Sequence, residues 1–267
     1  MKNAESIGRD LSAVREKAPL VHNITNFVVM NVTANALLAL GASPIMAHAA
    51  EELDELLGIV SALVLNIGTL DSCWIESMGQ AAAAAGKRGV PIVLDPVGAG
   101  ASRLRTETAL ALIQTQRPAI LRANPSEIMA LAGAAGATKG VDSTHRPDEA
   151  AEAARSLAKS LGCVVVASGA TDFLTDGASD VRISGGTPLM PRITGMGCTS
   201  SALVGAFAAV AASPLDAATA GMAVMKVAAE MAAEKASGPG TLQVHFLDAL
   251  HNLSQDDLVR RLKIACE

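Results

Sequence analysis

Tyrosine is absent from the 267 residues, and one tryptophan and four phenylalanines are the only other large aromatic side chains. A core without rings must be filled by Ala, Val, Leu, Ile and Met, and with 50% apolar residues the chain can build a sizeable one. The same scarcity removes the stacking platforms that single-stranded nucleic acids need, and a formal charge of −5 repels phosphate backbones. Nucleic-acid binding is therefore not expected. The four cysteines, Cys73, Cys163, Cys198 and Cys266, form no Cys-x-x-Cys or Cys/His spacing, which argues against a disulfide framework and a zinc site. No stretch is both long and apolar enough to span a bilayer, and Met1 to Arg15 has no apolar signal core. The expectation is a cytoplasmic protein with reduced thiols and no membrane partner. No linker, repeat or low-complexity boundary divides it, so 1–267 reads as one domain.

What the chain does contain is alternation. Ile7, Leu11 and Val14 mark an amphipathic helix over 3–16, closed by Pro19. A short strand from Leu20 runs into the polar loop Asn23 to Asn26, and helical spacing over 27–40 stops at Gly41. An extended piece at 43–46 and an acidic helix at 51–58 follow. Apolar runs at 62–67, 91–94, 119–122 and 163–169 read as buried strands, with helices at 71–87, 104–115 and 144–161 and a Gly-rich turn over 133–140. The segments 171–177 and 180–183 read as a hairpin. The last third is Ala-rich helix from 198 to 234, broken at Pro214, then a helical pair beyond Gly238-Pro239-Gly240. The fold class is α/β: a mostly parallel central sheet, helices on both faces, and an antiparallel edge.

In such sheets ligands bind where strands end, and polar residues gather there. Asn23, Thr25 and Asn26 follow the first strand, or simply cap the next helix. Asp95-Pro96-Val97-Gly98-Ala99-Gly100 follows another; its carboxylate can hold a metal or its water, or serve only as a local turn cap. Arg122 ends the next strand as a permanent cation suited to phosphate, or as an ion-pair partner for Glu127 in the first turn of the following helix. From Pro191 to Ser201 a loop with Gly195 and Gly197 opens onto a helix, so its amides face whatever anion sits at that N-terminus. A Gly-x-Gly before a helix can also be no more than a tight turn.

The loop resembles the anion hole of ribokinase-like small-molecule kinases, with Cys198 where the usual form has Asp. In order, His22-Asn23-Ile24-Thr25-Asn26, Asp95-Pro96-Val97-Gly98-Ala99-Gly100, Asn124-Pro125-Ser126-Glu127 and Thr194-Gly195-Met196-Gly197-Cys198 resemble the hydroxyethylthiazole kinase family over nearly the whole chain. The resemblance implies the ribokinase-like fold, transfer of the ATP γ-phosphoryl group to the primary hydroxyl of 4-methyl-5-(2-hydroxyethyl)thiazole in thiamine biosynthesis, and a homotrimer with sites between subunits. It implies thiazole contacts at Met46, Gly195, Asn26 and Cys198, and ATP contacts at Arg122, Ser168, Asn124 and Thr194. Asp95 and Glu127 would organise Mg²⁺ through water, and Gly195, Met196, Gly197 and Cys198 would form the catalytic loop. Cys198 would align the alcohol, or accept its proton if the helix end lowers the thiol's pKa. Two other classes remain: a dehydratase of damaged nicotinamide cofactors on the same fold, against which Cys198 counts, and a binding protein without turnover. A hydroxymethylpyrimidine kinase would keep the chemistry and change the ring.

Overall fold

The computed structural model describes residues 3–134 and 147–266. Helix α1 (Ala4–Lys17) starts at Asn3, whose side chain accepts the Ser6 amide at 2.9 Å, and buries Ile7, Leu11 and Val14 at helical spacing. Then come β1 (Leu20–Ile24), α2 (Met30–Leu40), β2 (Ser43–Ile45), the short α3 (Leu53–Leu57), β3 (Ala62–Asn66), α4 (Ser72–Arg88), β4 (Ile92–Asp95) and α5 (Arg103–Thr115). The second half runs β5 (Ile120–Ala123), α6 (Pro125–Ala134), α7 (Pro147–Leu161), β6 (Val164–Ala167), β7 (Thr171–Thr175) and β8 (Asp180–Ser184). It closes with α8 (Met196–Ala208), α9 (Pro214–Ala233), α10 (Pro239–Asn252), α11 (Gln255–Arg261) and β9 (Lys263–Cys266).

The strands form one sheet in the order β2-β1-β3-β4-β5-β6-β7-β8-β9. Neighbours from β2 to β6 are parallel and the remaining pairs antiparallel, which is the mostly parallel sheet with an antiparallel edge that the sequence pattern predicts. Along β3, Leu63 and Leu65 join one buried cluster while Val64 joins another, so the pleat sends alternate side chains to the two helical layers. Asp95 follows Leu94 and Arg122 follows Leu121, so both side chains emerge on the face covered by α8 and α9. The period of two thus aims two buried charges at one helix end.

Several boundaries differ from the sequence reading. Residues 27–29 form a turn, and the acidic stretch splits into a 3₁₀ turn (Ala50–Glu52) followed by α3. Asp71 caps α4, accepting the Trp74 amide at 2.8 Å. Gly133 lies within α6, so the expected turn does not begin there; its remainder, and the helix start at 144–146, lie outside the described residues. The final strand β9 has no counterpart in the sequence reading. Four residues carry too little pattern to announce a strand; β9 exists because β8 offers it an edge, with Ile183 opposite Ile264.

Candidate active site

Helix α8 begins over the carboxyl ends of the central strands. Gly195 is its N-cap at φ 83°, a left-handed conformation that costs other residues about 1 kcal/mol or more, and a Cβ there would lie 2.6 Å from Val29 Cγ1. Gly197 is different. Its backbone is ordinary helix; a Cβ at this position would sit 3.0 Å from both terminal nitrogens of Arg122. The glycine leaves room for the guanidinium beside the helix's free amides.

A continuous chain of polar contacts crosses the strand ends. Asn26 Nδ2 donates to Asn66 Oδ1 at 2.7 Å and lies 3.5 Å from Cys198 Sγ. Asn66 Nδ2 and Ser201 Oγ each donate to Asp95 Oδ2 at 2.8 Å. Arg122 Nη1 is 3.6 Å from the same oxygen, and Arg122 Nη2 donates to Ser168 Oγ at 2.6 Å. Four expected residues from four segments, Asn26, Asp95, Arg122 and Cys198, therefore meet, with Ser168 at the far end. Asn66 and Ser201 were missed. Asn66 lies inside the apolar run 62–67, where a single polar residue near the strand's end is the only local signal; the structure ends β3 at it.

Asp95 is fully buried, and burial raises its carboxyl pKa against the opposing pull of Arg122 and Ser201. Burial, reinforced by the Asp95 charge, pushes the Cys198 thiol up to about 11. The helix end does not activate it, and the thiol keeps its proton near neutrality.

Glu127 does not pair with Arg122. Its Oε1 accepts the Gly98 amide and its Oε2 the Asn124 amide, both at 2.8 Å, so it ties the turn after β4 to the start of α6. Asn124 Oδ1 in turn accepts the Glu127 amide and the Ser126 hydroxyl. That oxygen is thereby committed to capping. Arg105, which sequence reasoning passed over, donates to the carbonyls of Ile67, Gly68 and Val97 and braces the same rim.

A cavity of about 620 Å³ opens beside this constellation, within the range that holds cofactor-sized ligands. Arg122, Ser168, Gly197 and Lys226 supply polar lining, and Met222 and Met225 an apolar wall. Gly195 and Met196 line it too. Met46, Asn26, Cys198, Asn124 and Thr194 do not. Thr194 is exposed, and Met46 follows β2 at the sheet's other edge, near where His22 Nε2 meets the Ala47 carbonyl at 2.8 Å. Two regions therefore flank the N-terminus of α8: a roomy cavity on the Ser168 side and the Asn26–Cys198 corner on the other.

Among the described residues no cluster of three His, Cys, Asp or Glu side chains could cage a metal. Asp95 Oδ1 is nevertheless buried and accepts no hydrogen bond there. One free acidic oxygen fits Mg²⁺ that keeps several waters and takes other ligands from substrate phosphates, since this ion dehydrates reluctantly.

A parallel sheet with a buried Arg and a glycine-capped helix N-terminus at its strand ends, beside a cofactor-sized cavity, defines a small-molecule kinase of the ribokinase-like class. The pyridoxal kinase of Staphylococcus aureus in complex with AMP-PCP shares this fold, with a TM-score of 0.64 at 16% identity over 80% of this chain and 88% of that one. The model of the hydroxyethylthiazole kinase family matches residues 11–256, and the chain belongs to that family. It is 62% identical to a hydroxyethylthiazole kinase of Nitratidesulfovibrio vulgaris (strain Miyazaki F) across 99% of both chains. The structure of a hydroxyethylthiazole kinase protein from Pyrococcus horikoshii OT3 superimposes with a TM-score of 0.93 at 43% identity, covering 98% of this chain and 99% of that one.

Proposed function

We propose that this chain transfers the γ-phosphoryl group of ATP to the primary hydroxyl of 4-methyl-5-(2-hydroxyethyl)thiazole, giving the phosphate ester and ADP in thiamine salvage. One observation carries the reading: Arg122 rests against Gly197 at the N-terminus of α8, so a permanent cation and a helix's free amides converge on one point between the cavity and the Asn26–Cys198 corner. Phosphoryl transfer asks for in-line positioning and charge stabilisation, and little covalent chemistry.

In this reading the nucleotide occupies the cavity, with its triphosphate toward Arg122 and Ser168 and its base toward Met222 and Met225. Amides of the Gly195–Cys198 turn stabilise charge on the transferring group. Asp95 would hold a water of Mg²⁺, while Glu127 shapes the loop that admits it; the ion supplies neutralisation of phosphate charge. Asn26 and Cys198 orient the acceptor hydroxyl. A protonated thiol is not a base, and a loose transition state scarcely needs one, because the alcohol proton leaves late.

Met46 and Gly195 would contact the thiazole across an interface between copies of the chain. Phe27, Val28 and Leu38 are each more than half exposed, two of them directly following Asn26, which suits burial by a second copy in a homotrimer. The whole chain, 1–267, would act as one cytoplasmic kinase domain. The test is ADP release from ATP and Mg²⁺ with hydroxyethylthiazole, beside hydroxymethylpyrimidine and a control without alcohol. Thiazole-dependent release is expected; release with the pyrimidine alone replaces the substrate, and release with neither rejects the kinase reading.

A further inference from the structure

The cavity wall contains an ion pair that the chemistry above leaves unused. Lys226 in α9 is 4% exposed, and its ammonium sits among three acceptors of a single turn: the Gly169 carbonyl at 2.6 Å, the Ala170 carbonyl at 2.9 Å and Asp172 Oδ1 at 3.4 Å. Its three donors are thereby all engaged. Asp172 is 1% exposed; its Oδ1 also accepts the Gly169 amide at 2.9 Å, and its Oδ2 accepts no hydrogen bond among the described residues. One helical turn on, Glu230 Oε1 accepts the Gly186 amide at 3.2 Å. Helix α9 so grips both rims of the cavity, the turn after β6 through Lys226 and the turn after β8 through Glu230.

Fold stability is a poor reason for such a pair. Desolvating two charges offsets most of their attraction, and apolar side chains of similar volume commonly serve as well or better. The rest of this helix is mainly Ala, Val and Met, so an apolar residue at 226 would have fitted its pattern. What the pair does hold is specific. Ser168 directly precedes the gripped carbonyls, accepts from Arg122 Nη2 at 2.6 Å and donates to the Ala123 carbonyl at 3.2 Å. Gly169 and Ala170 are themselves exposed; the Ser168 amide anchors the start of the turn to the Ala123 carbonyl at 2.9 Å, and beyond it the turn is tied inward through Lys226 and its partner Asp172.

We propose that Lys226, paired with Asp172, is a positioning residue for nucleotide binding: by holding the Gly169 and Ala170 carbonyls it fixes Ser168 and, through Ser168, the direction of the Arg122 guanidinium. Lys226 acts through Arg122 and need not touch the nucleotide. The inference rests on the assignment of the cavity to ATP.

Lys226→Met combined with Asp172→Asn tests it, removing both charges at nearly constant volume while keeping an acceptor for the Gly169 amide. The expected result is a melting temperature close to wild type, a KM for ATP raised about tenfold by the misplaced guanidinium, and an unchanged KM for the alcohol. Ser168→Ala also raises the ATP KM, and adding it to the paired substitution produces little further increase, because both cut one chain of contacts. Lys226→Gln keeps two N–H donors without the charge; it is expected to raise the ATP KM about threefold and replaces the paired variant if that one does not fold. An unchanged ATP KM in a folded variant, or effects that multiply in full with Ser168→Ala, overturns the proposal. Calorimetric titration of wild type and Arg122→Lys with Mg·ATP separates this from failure of the underlying assignment. No binding by wild type, or binding indifferent to Arg122→Lys, removes both; binding weakened by Arg122→Lys and untouched by the paired variant removes only the role of Lys226.

Discussion

Cys198 stands where two opposing influences meet. The N-terminus of α8 favours a thiolate, but burial and the neighbouring Asp95 charge disfavour it, and the thiol is pushed up to about 11. A thiol held near 11 contributes almost no thiolate at neutrality, so its usefulness lies in geometry beside Asn26. Cys198→Ala is therefore expected to keep kcat within about tenfold of wild type, below the roughly 10²–10⁴-fold that a positioned proton-transfer group contributes. Its pH–rate profile between pH 6 and 9 should match wild type in shape. A loss of several thousandfold, or disappearance of an alkaline inflection present in wild type, would make the thiol a base after all. The Asn66 and Ser201 contacts explain how Asp95 stays buried: two donors and the Arg122 charge replace the water it gave up.

At the scale of elements, α8 does two jobs with one N-terminal turn. Gly195 must be left-handed to start the helix over the strand ends, and its missing side chain lets α2 approach through Val29. Gly195→Ala combines backbone strain with a clash against a buried side chain, and each contributes about 1–3 kcal/mol. We expect the midpoint of denaturant unfolding to fall and the alcohol KM to rise with it, since the turn cannot keep its distance from Asn26. Equal unfolding midpoints for the two proteins would show that the turn relaxes freely. On the opposite rim, Glu127 works as a brace more than as a ligand, because both of its oxygens already accept backbone amides. A sequence motif containing an acid identifies the loop, and the hydrogen bonds then decide what the acid does there.

For the whole molecule, the two helical layers are built from small and branched aliphatic residues, with Phe207 and Phe246 the largest wholly buried side chains. Dense packing of this kind makes buried titratable groups costly to ionise. Burial pushes Cys163 up to about 12 from an ordinary 9.0, with nearby Arg117 opposing. The folded chain thus holds this proton more tightly than the unfolded one. Its contribution to stability is complete below about pH 9 and is lost as pH rises toward 12. Thermal melts from pH 8 to 11 should show a declining midpoint for wild type and a shallower decline for Cys163→Ala, which starts from a lower midpoint at pH 8 because its lost packing is independent of pH. Parallel curves would mean the thiol never ionises with unfolding in that range.

Much of this protein was legible in one dimension, because the signals were local. Apolar runs of strand length between helical periods are enough for an α/β sheet, and a hairpin after the last parallel strand is enough for an antiparallel edge. Asn26, Asp95, Arg122 and Cys198 each lie at or just past a strand's end or in the first turn of a helix, and strand ends are where such sheets bind ligands. Pairings between distant segments carry no such mark. Asn66 reaches Asp95 across 29 residues and Ser201 reaches it across 106, Lys226 grips a turn 56 residues away, and β9 exists only because β8 has an open edge. The sequence alone determined which residue types stand at which element ends, since propensity and periodicity are properties of neighbours along the chain. Only the tertiary structure decided that Glu127 braces a loop, that Cys198 keeps its proton and that a buried Lys faces the cavity. Burial and hydrogen-bond partnership are set by packing between elements, and a pKa or a role follows from those surroundings rather than from residue type.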